Sequence, residues 1–146
     1  MKKIFSVLIL LLMACSGEDG VSDNSQLLDQ ITSNVSSGSL IISYYYDTDS
    51  DETSNFSSFV FSFNDGGVLS ATNGTNAYLG SWSVSDSNSG DDSLDDLHFN
   101  ISFASPPYFA ELTDDWDIVA QSDSTIELID VSGGNGGTDY LTFQKQ

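Results

Sequence analysis

Few residues in this 146-residue chain can do covalent or metal chemistry. It holds one cysteine, Cys15, one histidine, His98, and three cations, Lys2, Lys3 and Lys145, with no arginine. One Cys and one His exclude a disulfide framework, a Cys/His zinc site and a Cys-His nucleophile pair. Serines are numerous, but no Gly-x-Ser-x-Gly elbow accompanies them, and His98 reads as a surface histidine between Leu97 and Phe99. A glycosidase needs two carboxylates facing each other across a cleft, and the aspartates show no spacing that selects such a pair. No catalytic residue is assigned, and the chain is read as a non-enzyme without a cofactor.

Two acidic segments carry the remaining candidate chemistry. Asp47-Thr48-Asp49-Ser50-Asp51-Glu52 places carboxylates at alternate positions, as a Ca²⁺ loop does at its first three ligands. Asp47, Asp49 and Asp51 are the candidate metal ligands. The pattern departs from an EF-hand at its sixth position, Glu52 in place of Gly, and at its twelfth, Ser58 in place of Glu. A solvated hairpin tip and a looser Ca²⁺ site are both open readings, as they are for the stretch from Asp86 to Asp96. The whole chain has 22 Asp+Glu against 3 Lys+Arg, a formal charge of -19. That balance excludes nucleic acid as a partner, since phosphate contacts need clustered cations.

Cys15 has an address, not a reaction, as its expected role. Lys2 and Lys3 precede the apolar run Ile4 to Leu12, too short to span a bilayer, and Met13-Ala14 stands before the cysteine. Leu12-Met13-Ala14-Cys15 resembles the lipobox of bacterial lipoproteins, which implies cleavage before Cys15 and its acylation. Several acyl chains hold a protein at a bilayer without a transmembrane helix. Ser16 and the acidic pair Glu18-Asp19 resemble the export signal of Bacteroidota lipoproteins, which implies the outer membrane with the domain facing the cell exterior. Loss of 14 residues leaves 132 of the 146, and loss of Lys2 and Lys3 takes the charge from -19 to -21.

The elements that position everything else follow the signal. Residues 1–14 are read as signal peptide, 15–37 as lipidated Cys, acidic tether and short helix, and 38–146 as the folded domain. Leu27, Leu28, Ile31 and Val35 have helical spacing, with Asp23 or Ser25 as N-cap, and the helix is expected to plug one end of the domain. From residue 39 the period becomes two. Strands are expected at 40–46, 56–64, 67–72, 77–85, 97–103, 116–121, 125–131 and 139–144. Asn64-Asp65-Gly66-Gly67 and Asn73-Gly74 are hairpin turns by composition, and Pro106-Pro107-Tyr108-Phe109 predicts one helical turn with Phe109 and Leu112 inward. Consecutive short hairpins predict an all-β, eight-stranded antiparallel up-and-down barrel.

Alternation turns Phe59, Phe61, Phe63, Tyr78, Trp82, Phe99, Phe103 and Trp116 inward. A barrel of this size is filled by side chains or holds one small ligand, and filling is favoured here. A small hydrophobic ligand, if held, would meet Tyr44, Tyr46, Phe61, Tyr78, Trp82, Phe99 and Trp116, entering near Tyr44, Tyr46 and Trp82.

Several stretches carry a family resemblance: Phe61-Ser62-Phe63 followed by Asp65-Gly66-Gly67-Val68-Leu69, then Gly80-Ser81-Trp82-Ser83-Val84, then Leu94 to Phe103, Leu112 to Val119 and Ile126-Glu127-Leu128. Over about residues 38–146 the chain resembles the small lipocalin-like lipoproteins of Bacteroidota. The resemblance implies an eight-stranded barrel on a lipid anchor, in a family most of whose members have no assigned activity. In true lipocalins Gly-x-Trp lies on the first strand beneath an arginine, whereas here it lies on the fourth and no arginine exists. The expected function is a surface lipoprotein acting as a non-catalytic binding or interaction module. The alternative is a structural spacer with a filled barrel and weak Ca²⁺ binding; the sequence names no protein partner.

Overall fold

The computed structural model describes residues 24–87, 93–132 and 136–146. Cys15 and the signal and tether segments lie outside the described residues, as do Asp91 and Asp92 of the second acidic stretch.

The chain runs α1 (Ser25–Ser36), β1 (Leu40–Asp47), β2 (Ser50–Asp51), β3 (Val60–Asn64), β4 (Val68–Thr72), β5 (Ala77–Asp86) and β6 (Leu97–Ser102). It continues through α2 (Pro107–Ala110), β7 (Asp114–Gln121), β8 (Thr125–Val131) and β9 (Thr138–Lys145). Neighbours in sequence are neighbours in the sheet from β3 to β9, every pairing is antiparallel, and β9 returns to pair with β1. The result is the expected eight-stranded up-and-down barrel. β2, which the sequence pattern did not foresee, is a two-residue hook folded back on the end of β1 through Tyr46 and Asp51.

Local chemistry explains the turns. Gly74 has φ of 84°, a conformation disfavoured for residues with a Cβ, and Asn73 accepts from the backbone N–H groups of Thr75 at 3.0 Å and Asn76 at 2.8 Å. In β5, Gly80 leaves room for the adjoining chain after β6, since a Cβ there would run into the Ser102 carbonyl and stand 2.8 Å from the Phe103 ring. The strand expected from residue 56 starts only at Val60. Its first part is a 3-10 turn, Thr53–Phe56, which tips Phe56 into the core.

The two ends of the barrel are closed differently. At the end where β1 begins, α1 lies across the opening and buries Ile31 and Val35. Asn34 donates to the Gln121 side chain and to the Ser122 carbonyl, each at 3.1 Å. The residue before the helix is Asn24, not the expected Asp23 or Ser25; its Nδ2 donates to the Ser93 carbonyl at 3.2 Å, while its Oδ1 accepts no helix N–H. The helix start is thus fastened to the β5–β6 connection rather than capped. At the other end α2 carries Phe109 fully into the barrel, as expected, where it meets Phe56, Phe59, Phe103 and Tyr78 with ring centroids 4.9–5.3 Å away.

Between these plugs the interior is continuous side chain. Phe63 touches Trp82, Phe99 and Phe143 at 5.2–5.5 Å, and Phe61 touches Phe143 at 5.3 Å. The polar tips of three buried aromatic side chains are satisfied: Trp82 Nε1 donates to the Asn64 carbonyl at 3.0 Å, Trp116 Nε1 to the Leu112 carbonyl at 3.1 Å, and the Tyr45 hydroxyl to the Glu111 carbonyl at 3.2 Å. The outward positions of β4, β5 and β6 include Ser70, Ser81, Ser83 and Asn100, so the wall is wet outside and apolar within, the reverse of a lipid-facing barrel. Phe109→Ala should lower unfolding free energy by about 3–5 kcal/mol, because the ring's cavity cannot collapse between rigid strands. Urea denaturation followed by tryptophan fluorescence measures this, and a loss below about 1 kcal/mol contradicts the plug.

Candidate functional site

The residues expected to line a ligand separate into two groups. Phe61, Phe99 and Trp116 are at most 1% exposed and Trp82 is 7% exposed. Trp82 stacks near Phe99 at 5.9 Å, and Tyr78 packs on the same core beside Phe59 at 5.7 Å. These side chains hold one another.

Tyr44 and Tyr46, by contrast, do not border the interior at all. β1 carries a bulge between Ile42 and Tyr44, which leaves Ser43 and Tyr44 both outside and restarts the inward phase at Tyr45. One inserted residue exchanges the two faces beyond it. Tyr45 is the buried tyrosine, edge-on to Phe56 at 5.5 Å.

The Asp47, Asp49 and Asp51 trio does not gather. The chain reverses at Thr48, with φ of 50°, and Asp49. Asp47 pairs with Ser50 and Asp51 with Tyr46, so Asp47 and Asp51 leave opposite faces of the ribbon. Asp51 already accepts from the Thr53 N–H at 3.0 Å, and its bonds to Thr53 hold its carboxyl below the usual aspartate value. Among the described residues no three His, Cys, Asp or Glu side chains are close enough to hold a metal ion. The loop as folded therefore does not assemble Asp47, Asp49 and Asp51 into one ligand set.

Carboxylates instead rim the barrel end above α2. Burial is the main force raising the Tyr45 phenol, and Asp47, Glu111, Asp139 and Glu52 add to it. Burial also raises Glu111, assisted by Glu52 and Asp47. Asp114 is raised by burial first; the bond it accepts from the Asp115 N–H works the other way, and the Asp115 carboxyl and the charge of Asp130 raise it further.

The outer wall assembles residues that are distant in sequence. Strand register sets His98 beside Asp117, Asp117 beside Ile129, Ile129 beside Tyr140, Tyr140 beside Tyr46 and Tyr46 beside Asp51. His98 Nδ1 is 3.0 Å from Asp117 Oδ1, an ion-pair distance off the line of a good hydrogen bond. Sequence reading missed this partnership because Asp117 is one of many aspartates and only register selects it. Tyr140 was findable from the inward alternation of Leu141 and Phe143. A shallow groove of about 310 Å³ adjoins the row, lined by Asp95, Asp117, Val119 and Ile129. A second, of about 470 Å³, lies around Gly67, Asn100 and the outer serines of β5 and β6, with no charged residue in its lining.

The raised Asp114 has a signed consequence. Its folded form holds a proton more tightly than the unfolded chain, so stability falls as pH rises from the ordinary aspartate value through the raised one. Asp114→Asn keeps the oxygen that accepts from Asp115 N at 2.8 Å while removing the charge. The variant should melt higher than the parent at pH 7 and at the same temperature near pH 3. Equal melting temperatures at pH 7 would show that Asp114 carries no such penalty.

No family model, no curated protein and no solved structure matches this chain.

Proposed function

We propose that this chain is a lipid-anchored, non-catalytic interaction module, held at the outer membrane through Cys15 and presenting the outside of a filled barrel to the cell exterior. The filled interior carries the reading. With α1 across one end and Phe109 seated in the other, the surface left for recognition is the outer wall. Of the side chains expected to meet a small hydrophobic ligand, Phe61, Trp82, Phe99 and Trp116 serve as core with Tyr78 packed on it, while Tyr44 and Tyr46 lie outside, which takes support from a carrier. The lipobox resemblance of residues 12–15 supports the anchor, and the polar outer positions support a domain standing in water beside the membrane. The same filled interior also favours the second reading, an inert spacer, which differs in having no partner for the wall.

The anchor is tested by expressing the full chain in a bacterium that processes lipoproteins. The wild type is expected in the membrane pellet, with an intact mass corresponding to residues 15–146 plus a diacylglycerol and an acyl chain. Cys15→Ser is expected in the soluble fraction. Wild-type protein that is soluble and carries no lipid mass would sink the proposal.

A further inference from the structure

We infer that the outer wall around β8, β9 and β1 docks an extended, basic polypeptide segment, with Tyr46 and Tyr140 at the centre of the contact and carboxylates of the neighbouring β7 and β2 on either side. The inference deepens the interaction-module reading and rests on it. Its observation is the register row His98, Asp117, Ile129, Tyr140, Tyr46, Asp51, one residue from each of six neighbouring strands.

The middle of the row is apolar and aromatic. Tyr140 is 41% exposed, and Tyr44, one step along β1, is 40% exposed. The Tyr46 ring lies 6.4 Å from both Tyr44 and Tyr140, making one open patch of three phenol rings. Large exposed aromatics that touch one another on a wall otherwise rich in Ser, Thr and Asp mark a contact surface. On one side the patch meets the groove of about 310 Å³ between Asp95, Asp117, Val119 and Ile129. On the other it meets Asp51, paired with Tyr46 across the β2 hook.

Charge decides the occupant. Lys145 is the one Lys or Arg among the described residues, and it is engaged at the opposite end of β9, donating to the Ser37 hydroxyl at 2.8 Å. A second copy of so acidic a chain, an anionic lipid surface or a phosphorylated peptide would be repelled. A Lys or Arg side chain gains twice, by lying over a tyrosine face and by pairing with the carboxylates beside it. A neutral glycan is less well served, since Tyr46 and Tyr140 are inclined at 60° and do not form one flat platform for sugar rings. The row bends with the closed wall, so a straight extended segment lies across its middle, where Ile129, Tyr140 and Tyr46 stand on three neighbouring strands over about 10 Å. Alternate side chains of such a segment face the wall, which suits lysine at every second position.

The test uses the full mature chain in a neutral detergent and a heptapeptide of alternating lysine and serine, read by calorimetry at low and physiological salt. A glutamate-for-lysine peptide and a neutral glucan run in parallel. Binding of the lysine peptide is expected, with amide shifts at Ile129, Tyr140 and Tyr46. Tyr44→Ser/Tyr140→Ser, which leaves the net charge unchanged, should weaken it about tenfold. Leu79→Ser, at a 71% exposed site on β5, should leave it unchanged. Each single tyrosine variant should show part of the loss, with melting temperature as the check on folding. Equal affinity in the tyrosine variants and the wild type overturns the proposal, because attraction to an acidic shell at large would then suffice. So does glucan binding that depends on the tyrosines while the lysine peptide fails to bind. Cys15→Ser should bind the peptide like the wild type, so a failed anchor and a failed docking wall are read separately.

Discussion

Closing eight strands on themselves leaves a space about as wide as the side chains that face it, and in this chain Phe109 occupies the last of that space. The ring arrives from outside the sheet, on a helical turn that Pro107 begins, and touches rings carried by the connection before β3, by β5 and by the end of β6. Elements far apart in sequence therefore share one buried contact. The 3-10 turn at Thr53–Phe56 makes sense against it, because Phe56 packs on Phe109 at 5.3 Å. So does Gly80, whose missing Cβ lets Phe103 sit beside Phe109. Once the interior is committed in this way, the surface open to solvent is the outside of the barrel.

Closure also determines what that outside looks like. β9 pairs with β1 along most of its length, while β1 meets β3 at the single register pair Leu40 and Phe61. The bulge near Ser43 lies in the well-paired half of this seam. It turns Tyr45 inward, where its hydroxyl finds the Glu111 carbonyl, and leaves Tyr44 and Tyr46 on the outer wall beside Tyr140. One irregularity thus supplies a core residue and an exposed aromatic patch together.

The acidic surplus has an energetic cost that the fold distributes. Carboxylates at the α2 end of the barrel are partly withdrawn from water and face one another, which raises Glu111 and Asp114. Asp51 escapes this by accepting from Thr53 at the β2 hook, where Thr48 also donates to Asp139 at 2.7 Å. High like charge keeps a domain soluble and opposes its compact state. In this molecule the aromatic core, not ion pairing, supplies the compensation.

Much of this was legible from the order of residues. Period-two alternation gave the strand faces of Phe59 to Phe63 and Leu97 to Phe103, Asn-Gly and Asp-Gly marked the hairpins, and Pro107 with Phe109 announced the plug. These are local signals, each set by a few neighbouring residues and by what the backbone there can adopt. The spacing of Asp47, Asp49 and Asp51 shows the limit of such signals, since the hairpin sends Asp47 and Asp51 to opposite faces. What the sequence by itself determined was the architecture, the solid core and the few residues fit for chemistry. Only the tertiary structure decided that Tyr44 and Tyr46 face water, that His98 stands against Asp117, and that Ile129 and Tyr140 complete a row with them. A bulge shifts phase without changing composition, and register joins residues through hydrogen bonds between distant strands, so neither is written in any local stretch of the chain.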